Sequence, residues 1–421
     1  MLLIKGGKLC KTALETGDIL VKDGKIVEVA EYIAQTAEMT VISATGLLVA
    51  PGLVDLHVHF RDPGFEYKED IVTGAAAAVA GGVTTCLCMP NTSPVADNAR
   101  TIKYILDKAK NVPIKVIPVG AVTVGQKGEK LTDFAELKSA GAIALSDDGV
   151  PIQSAKLVRS AMQQAQMQGF IIISHCEDEE MVKNYAVNEG AVSKKLGLPG
   201  RPAIAEEIMV ARDVMLAAET GARVHIAHVS TAASVEIIRM AKKSGIKVTA
   251  ETCPQYFSLT EDEILRQGTL ARVNPPLRTS HDVAAIIDGL IDGTIDAIVT
   301  DHAPHSAEEK AQSLEDAPSG MIGLETSLAL ALTYLYHSAK LDIGKIINLM
   351  STKPASIMGL DAGTLNVGAP ADIVMFDPDE KWVVDPEKFK SKARNSPFSG
   401  MTLKGKVKYT ICQGEVIYCD V

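Results

Sequence analysis

Between Pro51 and Leu360, eight apolar runs of strand length alternate with stretches of helical periodicity, and no other feature of this chain restricts its fold so strongly. The runs are LVDLHVHF, GVTTCLCMP, IKVIPVGAV, GAIALSDD, GFIIISHC, ARVHIAHVS, GIKVTAETC and IDAIVTDHAP. Between them lie segments such as ARTIKYILDKAK, SAKLVRSAMQQAQMQ, EEIMVARDVMLAAET, TAASVEIIRMAKKSG and DVAAIIDGLIDG, whose apolar residues recur at three- and four-residue steps. Strand and helix in regular alternation require a parallel sheet. Eight repeats predict an α/β fold of the (β/α)8 TIM-barrel type with insertions, and a doubly wound open sheet is the alternative architecture. The two ends have a different texture. DILVKDGKIVEVA near the start, with its Asp-Gly turn, and GKVKYTICQGEVIYCDV at the finish both read as strand pairs. The expected organisation is a barrel over residues 51–360, with a small β-sandwich-like domain assembled from residues 1–50 and 361–421.

Composition narrows the function. Lys plus Arg number 42 against 52 Asp plus Glu, a net charge of −10, so the basic footprint of a nucleic-acid binder is missing. The start, MLLIKGGKLC, is broken at once by Lys5, Gly6 and Gly7 and does not read as a signal peptide, and no apolar run approaches the roughly 20 residues of a membrane span. Seven cysteines, an odd number, fit free thiols in a reducing cytoplasm better than a disulfide framework. Cys86 and Cys88 read as packing residues of a buried strand.

In a barrel of this type the chemistry sits at the C-terminal ends of the strands. Seven of the nine histidines fall there: His57, His59, His175, His225, His228, His302 and His305. His57 and His59 are two apart in an extended run and share a face, so both imidazoles can reach one ion. His175 and His228 end the fifth and sixth runs, Asp301 ends the eighth, and imidazole and carboxylate together suit a divalent metal. His225, out of phase with His228, reads as structural, and Asp55, deeper on the first strand, as a buried hydrogen-bonding partner. The fourth run ends in Asp147 and Asp148, and spacing does not choose between them as ligands. Such a set can hold one or two ions and lower the pKa of bound water from about 15.7 towards about 7, which makes metal-assisted hydrolysis the expected reaction class.

Taken together, PGLVDLHVHFRDPG, MPNTSP, ALSDDG, SHCED, HIAHVS, RVNPPLR and TDHAPH resemble the dihydroorotases of the amidohydrolase superfamily, and the resemblance spans nearly the whole chain. It implies reversible cyclisation of N-carbamoyl-L-aspartate to L-dihydroorotate in de novo pyrimidine (UMP) synthesis. It implies His57, His59, Asp148, His175, His228 and Asp301 as metal ligands, with Asp301 also shuttling the proton. It further implies that Arg61, Asn91 and His305 meet the substrate carboxylate, and that Asn274 and the backbone near Pro318 and Gly320 contact the ring. Zinc is the expected metal, with manganese or cobalt as alternatives. Many relatives in the superfamily bridge two metals with a carboxylated lysine on the fourth strand. AGAIALSDDG contains no lysine, which resembles the bacterial-type branch where an aspartate takes that place. The competing readings are an allantoinase, hydantoinase or dihydropyrimidinase, which would not need the Arg61, Asn91 and His305 clamp. An inactive homologue serving aspartate transcarbamoylase as a structural partner would have lost ligands, and every one is present here. An active enzyme could still join such a complex or form a homo-oligomer.

Overall fold

The computed structural model describes residues 1–10, 14–183 and 185–420. Eight parallel strands close on themselves: β6 (Leu53–Val58), β7 (Val83–Cys88), β8 (Lys115–Pro118), β9 (Leu145–Ser146), β10 (Ile171–Ser174), β13 (Arg223–Ile226), β14 (Val248–Thr252) and β15 (Ala297–Ile298). A parallel bridge from Gly120 to Leu145 joins β8 to β9, and another from Val58 to His302 returns the end of β15 to β6. The open-sheet alternative is thereby excluded. β6 and β7 are buried at every position, the pattern of strands covered on both faces. Helices over 71–80, 99–109, 134–140, 155–168, 232–243 and 280–292 each begin on a side chain that caps their free N–H groups: Asp70, Asn98, Asp133, Ser154, Thr231 and Thr279. The helix over 204–220 starts without such a cap. Between it and β10 lies an insertion carrying the short parallel pair β11 (Val187–Asn188) and β12 (Gly200–Arg201).

The two chain ends share one eight-stranded sheet. It contains β1 (Leu2–Cys10), β2 (Leu14–Lys22), β3 (Lys25–Ala30), β4 (Thr40–Ser43) and β5 (Leu48–Pro51), together with β16 (Ile373–Val383), β17 (Thr402–Cys412) and β18 (Glu415–Cys419). The ends meet where β5 pairs antiparallel with β16. The Asp-Gly turn expected between β2 and β3 is present, with Asp23 at φ 49° and Gly24 at φ 75°, the left-handed pair that a tight hairpin needs. A separate apolar cluster including Ile4, Ile19, Ile26, Ile373 and Ile411 lies under this sheet. Residues 391–395 leave that region and run back along the C-terminal end of the barrel, where Asn395 bonds to the loop after β15. No helix among the described residues is long and apolar enough to cross a membrane.

Candidate metal centre

The strand ends converge on the carboxylate of Asp148. Its Oδ1 lies 3.3 Å from His57 Nε2, 3.5 Å from His175 Nδ1 and 3.6 Å from His228 Nε2, and its Oδ2 lies 3.4 Å from His59 Nε2. Asp301 closes the other side, its Oδ1 3.1 Å from His59 Nε2 and 3.7 Å from His57 Nε2. All six side chains are buried. Asp147 points elsewhere. Its carboxylate accepts from the backbone N–H groups of Val122 (2.8 Å) and Thr123 (3.1 Å) and from the Thr123 hydroxyl, so it ties the loop after β8 to the loop after β9.

The neighbours of the imidazoles decide which nitrogen faces the centre. Glu251, fully buried on β14, accepts from His57 Nδ1–H at 2.7 Å and from His225 Nε2–H at 3.0 Å. The lone pair of His57 Nε2 is thereby aimed at Asp148 and Asp301. In the same way the Asn91 amide oxygen accepts from His59 Nδ1–H at 2.8 Å and turns His59 Nε2 towards Asp301. Burial would raise the Glu251 pKa, but the charge and N–H groups of His225, with those of His57, pull it down to about 2. His225 also pairs with Thr249 Oγ1 at 2.8 Å, a structural role. Asp55 lies beneath the centre, accepting from the backbone N–H of His57 (3.0 Å) and of Thr300 (3.2 Å), and burial lifts its pKa to about 7.

Three buried polar atoms at the centre have no hydrogen-bond partner among the described residues: His57 Nε2, Asp148 Oδ1 and His228 Nδ1. An imidazole lone pair held a little over 3 Å from carboxylate oxygens is repulsive unless a cation joins them. Without a metal, protons must take that part. Burial lowers the His57 pKa, yet the charge of Asp148, the hydrogen bonds to Asp148 and Glu251 and the charge of Asp301 together outweigh it and hold the group well above its ordinary value. The ligand atoms of His57, Asp148 and His228 lie within 4.8 Å of one another, and so do those of His57, His59 and Asp301, so either group could hold a metal ion. Nitrogen and oxygen donors without thiolate suit a divalent cation. The backbone is bent to bring them in: His228 and Asp301 adopt φ of 31° and 48°, and Arg61 φ of 60°, conformations that only surrounding structure can enforce on residues with a Cβ.

Above the centre opens a cleft of about 210 Å³, lined by five of the centre's six side chains, all but His57, and by Arg61, Asn91, Asn274, His305, Ser319 and Gly320. Arg61 Nε donates to the Pro304 carbonyl at 3.3 Å, and among the described residues no carboxylate pairs with its guanidinium. His305 donates from Nε2 to the Ser319 carbonyl at 2.9 Å. Burial and the nearby charges of Arg61, Lys68 and Lys310 push its pKa down to about 2, so it is neutral. The Asn274 amide oxygen is taken by Arg201, and its Nδ2 donates to Glu177 Oε2 at 3.1 Å. Gly320 has φ 141°, and a Cβ there would stand 2.8 Å from the Ala303 carbonyl and 3.0 Å from His305 Nε2. Pro318 does not line the cleft. Its carbonyl is held by Lys310 Nζ at 2.9 Å, which leaves Ser319 and Gly320 to face inward.

Sequence reasoning did not find Glu251, Glu177, Arg201 or Asn395. The only signal for Glu251 was an acidic residue near the end of an apolar strand run, VTAET. Cys86 and Cys88 are buried within β7, with no metal grouping formed around them among the described residues.

A family profile described as Dihydro-orotase-like matches residues 46–234, and one described as Amidohydrolase family matches residues 291–418. The chain is 51% identical over 420 residues to a dihydroorotase of Acetivibrio thermocellus, covering 99% of this chain and 98% of that one. It is 50% identical over 421 residues to a dihydroorotase of Geotalea daltonii, covering 99% of each. Among solved structures, the L-hydantoinase (dihydropyrimidinase) of Arthrobacter aurescens superimposes with a TM-score of 0.88 at 28% identity, covering 100% of this chain and 97% of the other. Half of all positions shared over the full length, with the barrel and its β-rich companion, place this chain in the dihydroorotase family of the amidohydrolases.

Proposed function

We propose that the protein is a metal-dependent dihydroorotase, interconverting N-carbamoyl-L-aspartate and L-dihydroorotate in de novo pyrimidine synthesis. One observation carries the choice of substrate: the Arg61 guanidinium sits in the cleft beside the metal centre with no carboxylate of the described chain to pair with. A guanidinium so placed calls for an anionic ligand, and the ring carboxylate separates dihydroorotate from neutral hydantoins and dihydropyrimidines. Asn91, whose amide oxygen is spent on His59, has its N–H groups free to add a directional bond to that carboxylate. The neutral His305 stands on the same side.

His57, His59, Asp148, His175, His228 and Asp301 would hold the metal, with zinc as the ion that best fits imidazole and carboxylate donors. When bound, such an ion polarises the ring amide carbonyl and supplies a water acidic enough to attack near neutral pH. The chain's own part is proton handling and orientation. Asp301 Oδ1, on the rim between the centre and the cleft, accepts the proton of the attacking water and returns it to the departing ring nitrogen. Arg61 fixes the carboxylate, and Asn274, its amide held by Arg201, Glu177 and His175, lines the wall of the cleft against which the ring would lie. In the biosynthetic direction the same groups act in reverse order. Free thiols at all seven cysteines fit a cytoplasmic enzyme. Assembly with further copies or with aspartate transcarbamoylase would be read from the mass of the purified protein. Assaying L-dihydroorotate beside hydantoin and allantoin tests the substrate, and turnover confined to the neutral rings would reject it.

A further inference from the structure

We infer that Asn395 is a positioning residue for the carboxylate-binding edge of the cleft, an inference that rests on the function proposed above. It lies on none of the barrel strands and is 90 positions from His305, yet it is buried, at 3% exposure. Every hydrogen-bonding group of its side chain is committed to the loop after β15. Oδ1 accepts from the backbone N–H of His305 at 3.2 Å, and Nδ2 donates to the carbonyls of Ala303 and Gly320, both at 3.1 Å. Its own backbone carbonyl accepts from Ile322 N–H at 3.0 Å. The amide can be oriented only one way, since a flip would set N–H against N–H and oxygen against two carbonyls.

The bonds bracket the groups that would meet the substrate carboxylate. Ala303 and His305 flank Pro304, whose carbonyl holds Arg61 Nε at 3.3 Å. Gly320 follows Ser319, whose carbonyl receives the His305 ring N–H at 2.9 Å. One planar amide therefore pins the outgoing strand end (303–305) to the returning segment (319–322), and with them the placement of both Arg61 and His305. The pin is itself anchored. Four residues earlier, Ser391 donates its hydroxyl to Glu69, which also accepts from the Lys392 backbone N–H at 3.2 Å and lies 3.4 Å from His302 Nε2. Only an amide offers an acceptor and two donors in this fork. Aspartate, of the same shape, sets a charged oxygen against the two carbonyls, and serine is too short to span them.

The test uses the metal-loaded full-length protein. For Asn395→Asp and Asn395→Ser, KM for L-dihydroorotate should rise about tenfold or more, since misplaced carboxylate contacts cost at least a decade in binding. kcat should stay within about threefold and metal content should match the parent, because no metal ligand is touched. Thr410→Val serves as a comparison. It removes a buried bond to the Val79 carbonyl, away from the cleft, and should lower Tm without moving KM. If Asn395→Asp does not yield folded protein, Asn395→Ser is judged by the same criterion. An unchanged KM, a loss confined to kcat, or an equal KM rise in Thr410→Val overturns the inference. Absence of dihydroorotate turnover in the parent overturns the function reading instead, so the two failures are distinguishable.

Discussion

Replacing Glu251 by glutamine isolates the electrostatic part of the metal centre. The carboxylate is fully buried and takes two imidazole N–H groups, at 2.7 Å from His57 and 3.0 Å from His225. Glutamine has nearly the same shape but only one accepting oxygen. Its NH2 must therefore face one of the two rings. Facing His57, it would demand a lone pair at Nδ1 and leave a proton on Nε2, the atom that must bind metal. Facing His225 is tolerable, because that ring can switch tautomer and donate from Nδ1 to Thr249 Oγ1. Geometry then survives, and the loss is that of the negative charge that makes His57 a stronger donor. Weakening the acceptor behind a metal-binding imidazole costs about 10- to 100-fold in metal affinity, or about 1.4–2.8 kcal/mol. Glu251→Ala should do far worse, losing about 3–5 kcal/mol of stability as two buried imidazoles lose their partner. The assay is competitive chelator titration of the loaded protein, paired with thermal unfolding of the metal-free form. Metal affinity in Glu251→Gln within twofold of the parent would refute the reasoning.

Other outcomes follow from the same geometry. Asp301→Asn should nearly abolish turnover while the circular dichroism spectrum and Tm stay close to the parent, checked by steady-state assay and thermal scan. Arg61→Met should raise KM for L-dihydroorotate about 10- to 100-fold, the worth of one charged hydrogen-bonding pair, with smaller change in kcat. Asp147→Asn should lower Tm by weakening the tie to Thr123 yet leave metal content intact, whereas Asp148→Asn should lose metal, as elemental analysis would report. Glu325 titrates away from the centre. Burial raises its pKa to about 7 despite the N–H groups of Ser391 and Lys390, so the folded protein binds more protons than the unfolded chain. Stability should fall as pH climbs from about 4.3 to the folded value near 7. Glu325→Gln should then raise Tm more at pH 8 than at pH 5, measured by scanning calorimetry.

The barrel and the convergence of its candidate ligands were legible because both depend on short-range rules. Alternating strand and helix patterns force a parallel sheet, and strand ends in such a sheet point one way, so the sequence alone brings His57, His59, His175, His228 and Asp301 to one end of the barrel. The fourth and eighth runs were read as full strands, but β9 and β15 each pair over two residues. The chain leaves strand geometry early there, in the turns that bring Asp148 and Asp301 to the centre, with Asp301 at φ 48°. What escaped the sequence are contacts with no local signature. Glu251 is 194 positions from His57, and Asn395 is 90 from His305. Their partners are brought near only by barrel closure and by the returning C-terminal segment. Asp147 and Asp148 are equivalent as neighbours in sequence. Backbone N–H groups of the adjoining loop separate them in space.

A carboxylate-selective, metal-dependent cyclic amidase is tested most directly by kcat/KM for L-dihydroorotate and for hydantoin on the same metal-loaded sample. Two or three charged hydrogen bonds to the ring carboxylate, at about 1.5–3 kcal/mol each, predict a preference for dihydroorotate of at least 100-fold. Equal efficiency, or faster opening of hydantoin, would contradict the account.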